Sequence, residues 1–141
     1  MKSNYHIMLI DDDDDDRMLF SMALEMINKA ATCTAIDNCF EALELLNSGM
    51  RPDIIFLDLN MPSMHGFDCL QLIRQSPDFG TIPVVIYSTS GYSVDIEKAR
   101  DLNSAGYLKK QSDLDALCLK VKKFIDYILE GNNDYLSDTQ W

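Results

Sequence analysis

Residues 53–58 read Asp-Ile-Ile-Phe-Leu-Asp, a short apolar run that ends in a carboxylate. Consecutive apolar side chains of this length predict a strand that is buried on both faces, as in a parallel sheet covered by helices. A similar arrangement stands near the start of the chain, where the largely apolar residues 5–10 precede six consecutive aspartates, Asp11 to Asp16. Both runs indicate that carboxylates lie at the ends of buried strands, at one edge of a sheet.

Extended and helical patterns alternate on both sides of residues 53–58. Strands are predicted over residues 5–10, 32–36, 53–58, 83–87 and 106–109. Helices are predicted from about 16 to 29, around 40–46, over a segment carrying Phe67, Leu70 and Ile73, from about 94 to 102, and from Ser112 to a stop at Gly131. Ser112 and Asp115 resemble a capping box at the start of the last helix.

The predicted helices each offer an apolar face at helical spacing. The inner face of the first helix is predicted to hold Leu19, Met22, Ala23, Met26 and Ile27, and that of the second Phe40, Leu43 and Leu46. The last helix is expected to bury Leu114, Leu117, Val121, Phe124, Ile125 and Ile128.

Five strands alternating with five helices imply right-handed βαβ units and one doubly wound parallel sheet of the α/β class. In such sheets the ligand crevice lies beyond the carboxyl ends of the strands. Polar residues follow strands one, three, four and five at those ends: Asp11, Asp12, Asp58, Ser88, Thr89 and Lys110. Carboxylates brought together repel each other unless a hard cation lies among them, and Mg²⁺ prefers such oxygen ligands.

Length and charge narrow the class of protein. The chain has 141 residues, 47% of them hydrophobic, which suits one domain over 1–131 with a polar tail over 132–141 and no output domain. Trp141 is a candidate docking residue in that tail.

The net charge of −11 argues against nucleic-acid binding, which needs Lys and Arg to neutralise phosphates. No segment is apolar enough for a membrane span or a signal peptide, so a cytoplasmic protein is expected, as a monomer or weak dimer.

The four cysteines, Cys33, Cys39, Cys69 and Cys118, show no CxxC pair and no histidine partners at metal-ligand spacing. A zinc site and a redox motif are therefore not supported. We expect these residues to be buried free thiols.

The segment Ile54-Ile55-Phe56-Leu57-Asp58-Leu59-Asn60-Met61-Pro62-Ser63-Met64-His65-Gly66 resembles the phosphoacceptor strand and loop of the receiver domains of two-component response regulators. The resemblance covers roughly residues 4–130 and includes the acidic pair, the strand-end hydroxyls and Lys110. It implies a CheY-like, flavodoxin-like (βα)5 fold with strand order 2-1-3-4-5. It also implies a phosphorelay signalling protein, which is an enzyme only in assisting its own phosphorylation and dephosphorylation.

The resemblance assigns roles at the metal and acceptor site. Asp58 matches the phosphoacceptor, which takes a phosphoryl group from a histidine kinase or phosphotransfer protein. Asp11 and Asp12 match the acidic pair that holds Mg²⁺, with Asp12 as the direct ligand and Asp11 acting mainly through water. Asp58 and the backbone carbonyl of Asn60 complete the ligands. Phosphoryl transfer needs positioning and charge neutralisation more than acid-base chemistry, and these residues suit that need.

The resemblance also implies a switch. Ser88 matches the hydroxyl that binds a phosphoryl oxygen, Lys110 matches the lysine that pairs with another, and Tyr107 matches the aromatic residue that moves when the hydroxyl is drawn inward. A downstream protein is then expected to bind through helix four, strand five and helix five. Asp13 to Asp16 are expected to have no part in this chemistry, and Asp13 to Asp15 are assigned to a solvated loop and a helix N-cap.

Three residues depart from the family pattern: Gln111, His65 and Thr89, the last being bulkier than the Ala or Gly usual after the hydroxyl residue. Gln111 follows Lys110 where the family typically has proline, so we expect either a trans peptide with a shifted loop or a strained cis peptide. His65 replaces the Asp or Asn often found before the loop glycine, and it is expected to sit at the rim of the crevice.

Three other functions compete with a receiver. A Mg²⁺-dependent phosphohydrolase of the haloacid dehalogenase type also uses a strand-end aspartate, but Asn60, two residues after Asp58, cannot protonate a leaving group. A calcium loop that begins at Asp11 would need glycine at Asp16 and glutamate at Met22. A receiver-like adapter that docks without phosphorylation remains possible because of Gln111.

Overall fold

A single parallel sheet organises the protein in this computed structural model, which describes residues 4–138. Six strands lie in the order β2-β1-β3-β4-β5-β6. Their bounds are β1 His6–Ile10, β2 Thr32–Ile36, β3 Ile54–Leu57, β4 Val84–Ser88, β5 Gly106–Lys109 and β6 Leu136–Ser137. The predicted α/β class and the order 2-1-3-4-5 are confirmed, and β6 is an additional short strand at the β5 edge.

Helices cover both faces of the sheet. They are α1 Asp14–Ile27, α2 Cys39–Asn47, α3 Gly66–Arg74, α4 Ser93–Asp101 and α5 Leu114–Leu129. Because side chains alternate along a strand, Ile54 and Phe56 of β3 pack in the cluster with α1 and α5. Ile55 and Leu57 pack in the other cluster, with α2, α3 and α4. This burial on both faces explains why β3 reads as a continuous apolar run.

The inner face of α1 differs from the predicted one. Its fully or nearly buried residues are Phe20, Ala23 and Leu24, whereas Met22 and Met26 are 45% and 59% exposed. Phe20 contacts the rings of Phe56 and Tyr87, with centroids 5.0 and 5.5 Å away. Apolar residues occupy two sides of this helix, and the side that brings a phenylalanine into the aromatic core is buried.

The predictions for the other helices hold with two exceptions. Phe40 of α2 is 57% exposed, because Cys39, Ala42 and Leu46 form the buried face instead. The last helix starts at Leu114, and its N-cap is Asp113, whose carboxylate accepts a hydrogen bond from the Ala116 amide. Ser112 therefore does not cap α5. The buried residues of α3 include Phe67, Leu70 and Ile73, as predicted.

The expectation of free thiols was wrong for two of the four cysteines. Cys39, the first residue of α2, and Cys69 of α3 form a buried disulfide across 30 residues of sequence. Cys33 and Cys118 remain free. Two helices that lie side by side on the same face of the sheet bring these cysteines together. No local spacing in the sequence predicts the disulfide.

Reduction of the Cys39–Cys69 disulfide is expected to lower the free energy of unfolding by about 3 kcal/mol, because the cross-link restricts a long loop in the unfolded chain. Denaturant titrations with and without a thiol reductant measure the change. The double variant Cys39→Ala/Cys69→Ala serves as control, since the reductant should leave its stability unchanged. Alkylation of all four thiols in the denatured, unreduced protein would show that the bond does not form.

The end of the described chain packs against β5. Within β6, Ser137 lies in register with Tyr107. The carboxylate of Asp138 accepts hydrogen bonds from the Lys109 amide at 3.0 Å and from the Lys120 ammonium at 3.0 Å. The Tyr135 hydroxyl donates to the Ile96 carbonyl of α4. Residues 135–138 thus occupy part of the face formed by α4, β5 and α5, while Trp141 lies outside the described residues.

None of the helices described in the structure is long and apolar enough to cross a membrane.

Candidate functional site

The carboxyl ends of β1 and β3 bring two aspartates side by side. Beyond the strands, the Asp11 amide donates to the Ile36 carbonyl and the Asp58 amide donates to the Ile10 carbonyl, both at 2.9 Å. The ladder therefore continues to the first residue after each strand. Asp11 and Asp58 are buried, at 0% and 4% exposure, so the fold holds both carboxylates at the floor of a crevice.

Asp12 joins these two residues to form an acidic cluster. One carboxylate oxygen from each of Asp11, Asp12 and Asp58 lies within 4.8 Å of the others. Asp11 Oδ1 accepts a hydrogen bond from the Asp13 amide, and the buried Oδ2 lies 2.9 Å from the Lys110 ammonium. Three clustered carboxylates, which lie close together on one site, fit a hard divalent cation, for which oxygen is the preferred ligand.

Burial and mutual repulsion disfavour the ionised forms of these acids. The pKa of Asp58 is raised to about 6, first by desolvation; Lys110 opposes this rise, and the charges of Asp11 and Asp12 add to it. Burial likewise raises the pKa of Asp11, against the hydrogen bonds and charge of Lys110. Without a cation, the ionised forms of these carboxylates are therefore destabilised in the crevice.

Lys110 enters the crevice from the end of β5. Its Nζ lies 2.7 Å from Asp16 Oδ2, 2.9 Å from Asp11 Oδ2 and 3.5 Å from Asp58 Oδ1. The ammonium also lies 5.4 Å from the centre of the Tyr87 ring. These carboxylates raise the lysine pKa well above its ordinary value although desolvation opposes the rise, so Lys110 is a fixed positive charge.

The departure at Gln111 does not remove the lysine from the site. All peptide bonds within the described residues are trans, which includes the Lys110–Gln111 bond. The Lys110 amide donates to the Ser88 carbonyl at 2.8 Å, and the Gln111 side-chain amide donates to the Lys109 carbonyl. Of the two possibilities for this bond, the trans peptide is the one observed, and the backbone after β5 remains bonded to β4.

Ser88 and Tyr107 are linked through Ser90. Ser88 is fully buried at the end of β4, and its Oγ accepts a hydrogen bond from the Ser90 amide at 3.2 Å. Tyr107 is also fully buried, and its hydroxyl donates to the Ser90 carbonyl at 2.8 Å. The Ser90 Oγ in turn donates to Asp95 of α4. A chain of hydrogen bonds thus runs from the crevice to α4.

Asn60 and Thr89 lie just beyond the ends of β3 and β4, and His65 lies at the start of α3. Asn60 and Thr89 are exposed and line an open cavity of about 560 Å³ together with Ser90, Gly91, Tyr92 and Lys109. His65 has a structural role that the sequence analysis missed: it is the N-cap of α3, and its Nδ1 accepts from the Phe67 amide. A polar residue directly before Gly66 was the signal available for that role.

The prediction that Asp16 is a spare residue was wrong, because its carboxylate contacts Lys110. Asp16 lies on the first turn of α1, where the Asp13 carboxylate caps the helix by accepting from the Asp16 amide at 2.9 Å. Its own carboxylate then reaches Lys110. A separation of 94 residues hides this pair from any local pattern.

Comparison with known proteins shows the family to which the chain belongs. The family model of the response regulator receiver domain matches residues 7–122. The two-component response regulator ORR12 of Oryza sativa subsp. japonica is 34% identical over 108 residues, which cover 77% of this chain and 88% of that protein. ORR5 of the same subspecies is 33% identical over 119 residues, 82% of this chain and 87% of the relative.

Solved structures give the same result. The Mn²⁺-bound form of response regulator Rcp1 aligns with a TM-score of 0.75 at 29% identity, over 90% of this chain and 96% of that one. The phosphorylated cyanobacterial phytochrome response regulator RcpA aligns with a TM-score of 0.80 at 31% identity, over 89% and 94%. The chain belongs to the response regulator receiver domain family, a class of signalling domains that interact with histidine kinases or phosphotransfer proteins.

Proposed function

We propose that this protein is a phosphorylation switch in which Asp58 accepts a phosphoryl group in a Mg²⁺-dependent reaction. The observation that carries the proposal is the placement of Asp58: a buried carboxylate at the end of β3, grouped with Asp11 and Asp12 and facing the ammonium of Lys110. Nucleophile, cation ligands and a fixed positive charge thus meet in one crevice. The Mn²⁺-bound and phosphorylated relatives support both halves of the proposal.

In the proposed reaction an Asp58 oxygen attacks the phosphorus of a phosphohistidine on a partner kinase or phosphotransfer protein. The new O–P bond forms as the P–N bond breaks, and the imidazole keeps the electron pair and takes up a proton. Asp11, Asp12, Asp58 and the Asn60 carbonyl would hold Mg²⁺, which supplies neutralisation of charge on the phosphoryl oxygens. Lys110 supplies a second positive charge to them.

The signal would leave the crevice through Ser88 and Tyr107. A phosphoryl group of charge near −2 attracts the Ser88 hydroxyl, which at present accepts from the Ser90 amide. Rearrangement at Ser90 changes the acceptor of the Tyr107 hydroxyl and the contact to Asp95 on α4. A cytoplasmic partner protein would sense this change by binding to the face of α4, β5 and α5. Residues 135–138 occupy part of that face.

Intact-protein mass spectrometry after incubation with Mg²⁺ and acetyl phosphate tests the proposal. The wild type is expected to gain one phosphoryl group, and Asp58→Asn is expected to gain none because its amide is not a nucleophile. Addition of a chelator should abolish the adduct of the wild type. The control variant Asp78→Asn, which removes an exposed carboxylate, should gain the phosphoryl group as the wild type does. An adduct that persists in Asp58→Asn would place the acceptor elsewhere, and absence of both an adduct and Mg²⁺ binding would favour a docking adapter.

A further inference from the structure

We propose that Asp16 is a positioning residue for phosphoryl transfer: it holds the Lys110 ammonium in place beside Asp58 while the other carboxylates of the crevice bind the cation. The inference rests on the proposed function of Asp58. Of the three carboxylates around Lys110, that of Asp16 is the nearest, at 2.7 Å against 2.9 Å for Asp11 and 3.5 Å for Asp58.

The structure fixes Lys110 at its root and at its tip. At the root, the Lys110 amide is bonded to the Ser88 carbonyl of β4. At the tip, Asp16 accepts a hydrogen bond from Nζ, and the lysine side chain is only 9% exposed. Asp16 is itself placed by the capped first turn of α1. A long, flexible stem is thereby held in one orientation before any ligand binds.

The other two partners of Lys110 have a competing role. Asp11 and Asp58 belong to the acidic cluster suited to a divalent cation, whereas Asp16 is outside that cluster. A cation that draws in Asp11 and Asp58 weakens their hold on the lysine. Asp16 then remains as its dedicated partner and leaves further N–H donors of the ammonium, which has three, for phosphoryl oxygens.

Two physical effects predict opposite results for the loss of Asp16. If its charge acts alone, removing a negative group near an anionic ligand should tighten binding of that ligand. If it acts by holding Lys110, its removal frees the ammonium and should weaken binding, because the lysine must then be ordered at the cost of conformational entropy. The direction of the change therefore separates positioning from simple repulsion.

The test is calorimetric titration of beryllofluoride, a phosphoryl mimic, in the presence of Mg²⁺. Asp16→Ala is expected to bind about tenfold more weakly than the wild type, and Asp16→Asn, which keeps an oxygen acceptor, to recover part of the loss. Asp15→Ala is the matched control: it removes an exposed carboxylate one residue away, and binding should not change. In a Lys110→Ala background, Asp16→Ala should have no further effect.

Several outcomes would overturn the inference. Binding by Asp16→Ala that equals or exceeds that of Asp15→Ala would show that Asp16 does not position the lysine. A loss that persists in the Lys110→Ala background would assign the effect to something other than Lys110. If the wild type itself binds no beryllofluoride and forms no adduct with acetyl phosphate, the proposed function fails and this inference fails with it. If the wild type is phosphorylated but the Asp16 variants bind beryllofluoride as tightly as the wild type does, this inference is overturned while the proposed function stands.

Discussion

Asp58→Asn is expected to stabilise the metal-free protein by about 2 kcal/mol at pH 7, although it removes the proposed acceptor. Asp58 is 4% exposed, and its pKa of about 6 stands well above the ordinary 3.8. The folded state therefore pays roughly 3 kcal/mol to ionise this group. This cost is already net of the attraction to Lys110, and asparagine, which like the protonated acid carries no charge, is expected to recover most of it. Denaturant unfolding in a chelator measures the gain in stability.

The pH dependence of this difference follows from the same pKa. Between about pH 4 and pH 6 the folded state holds a proton on Asp58 that the unfolded chain has released. Stability of the metal-free wild type therefore falls as pH rises through this window, and the cost is fully present above it. The stabilities of Asp58→Asn and wild type should converge near pH 4 and separate toward pH 7. An equal gap at both pH values would contradict the assignment of the cost to Asp58.

Mg²⁺ should offset the stability advantage of Asp58→Asn over the wild type. A cation that binds only the folded wild type adds about 2.7 kcal/mol when its concentration is a hundred times the dissociation constant. Asp58→Asn lacks one of the three clustered carboxylates and should gain less. Asp78→Asn, an exposed carboxylate variant in the segment between α3 and β4, is the control and should behave as the wild type throughout. Equal stabilisation of Asp58→Asn by Mg²⁺ would exclude Asp58 from the cation site.

The sequence could predict the sheet and the acidic floor of the crevice because both are local. A strand buried on both faces is a continuous apolar run, and in a parallel sheet the residue after each strand lies at the same edge as its neighbours. Asp11 and Asp58 follow such runs directly. The family resemblance then supplied the strand order, which periodicity does not encode.

The missed features depend on contacts between distant segments or on small differences in packing. Asp16 meets Lys110, and Cys39 meets Cys69, only after helices are placed on the sheet. The face of α1 was misassigned because apolar residues on two sides give nearly the same periodicity, and packing of Phe20 decides between them. The β6 strand has only two residues, so it has no strand pattern to detect.

Gly66→Ala is expected to be the most damaging single-methyl change near the crevice. A Cβ built at this position would lie 2.3 Å from the Asp58 carbonyl oxygen and 2.7 Å from Leu59 Cα, both backbone atoms. The Gly66 amide also donates to the Leu59 carbonyl at 2.8 Å, so α3 starts in direct contact with the segment that carries Asp58, the proposed acceptor. Relief of the clash must move either α3 or the backbone of Asp58.

The expected cost of Gly66→Ala is about 3 kcal/mol of unfolding free energy, the upper end for an overpacked site. Displacement of Asp58 by about 1 Å should slow phosphorylation by acetyl phosphate by roughly a hundredfold, since transfer depends on alignment. Gly91→Ala is the matched control beside the same crevice, because its nearest atom is the flexible Lys109 Nζ at 3.4 Å. If Gly66→Ala is as stable as Gly91→Ala and reacts as fast, then α3 does not hold the Asp58 backbone in the position described.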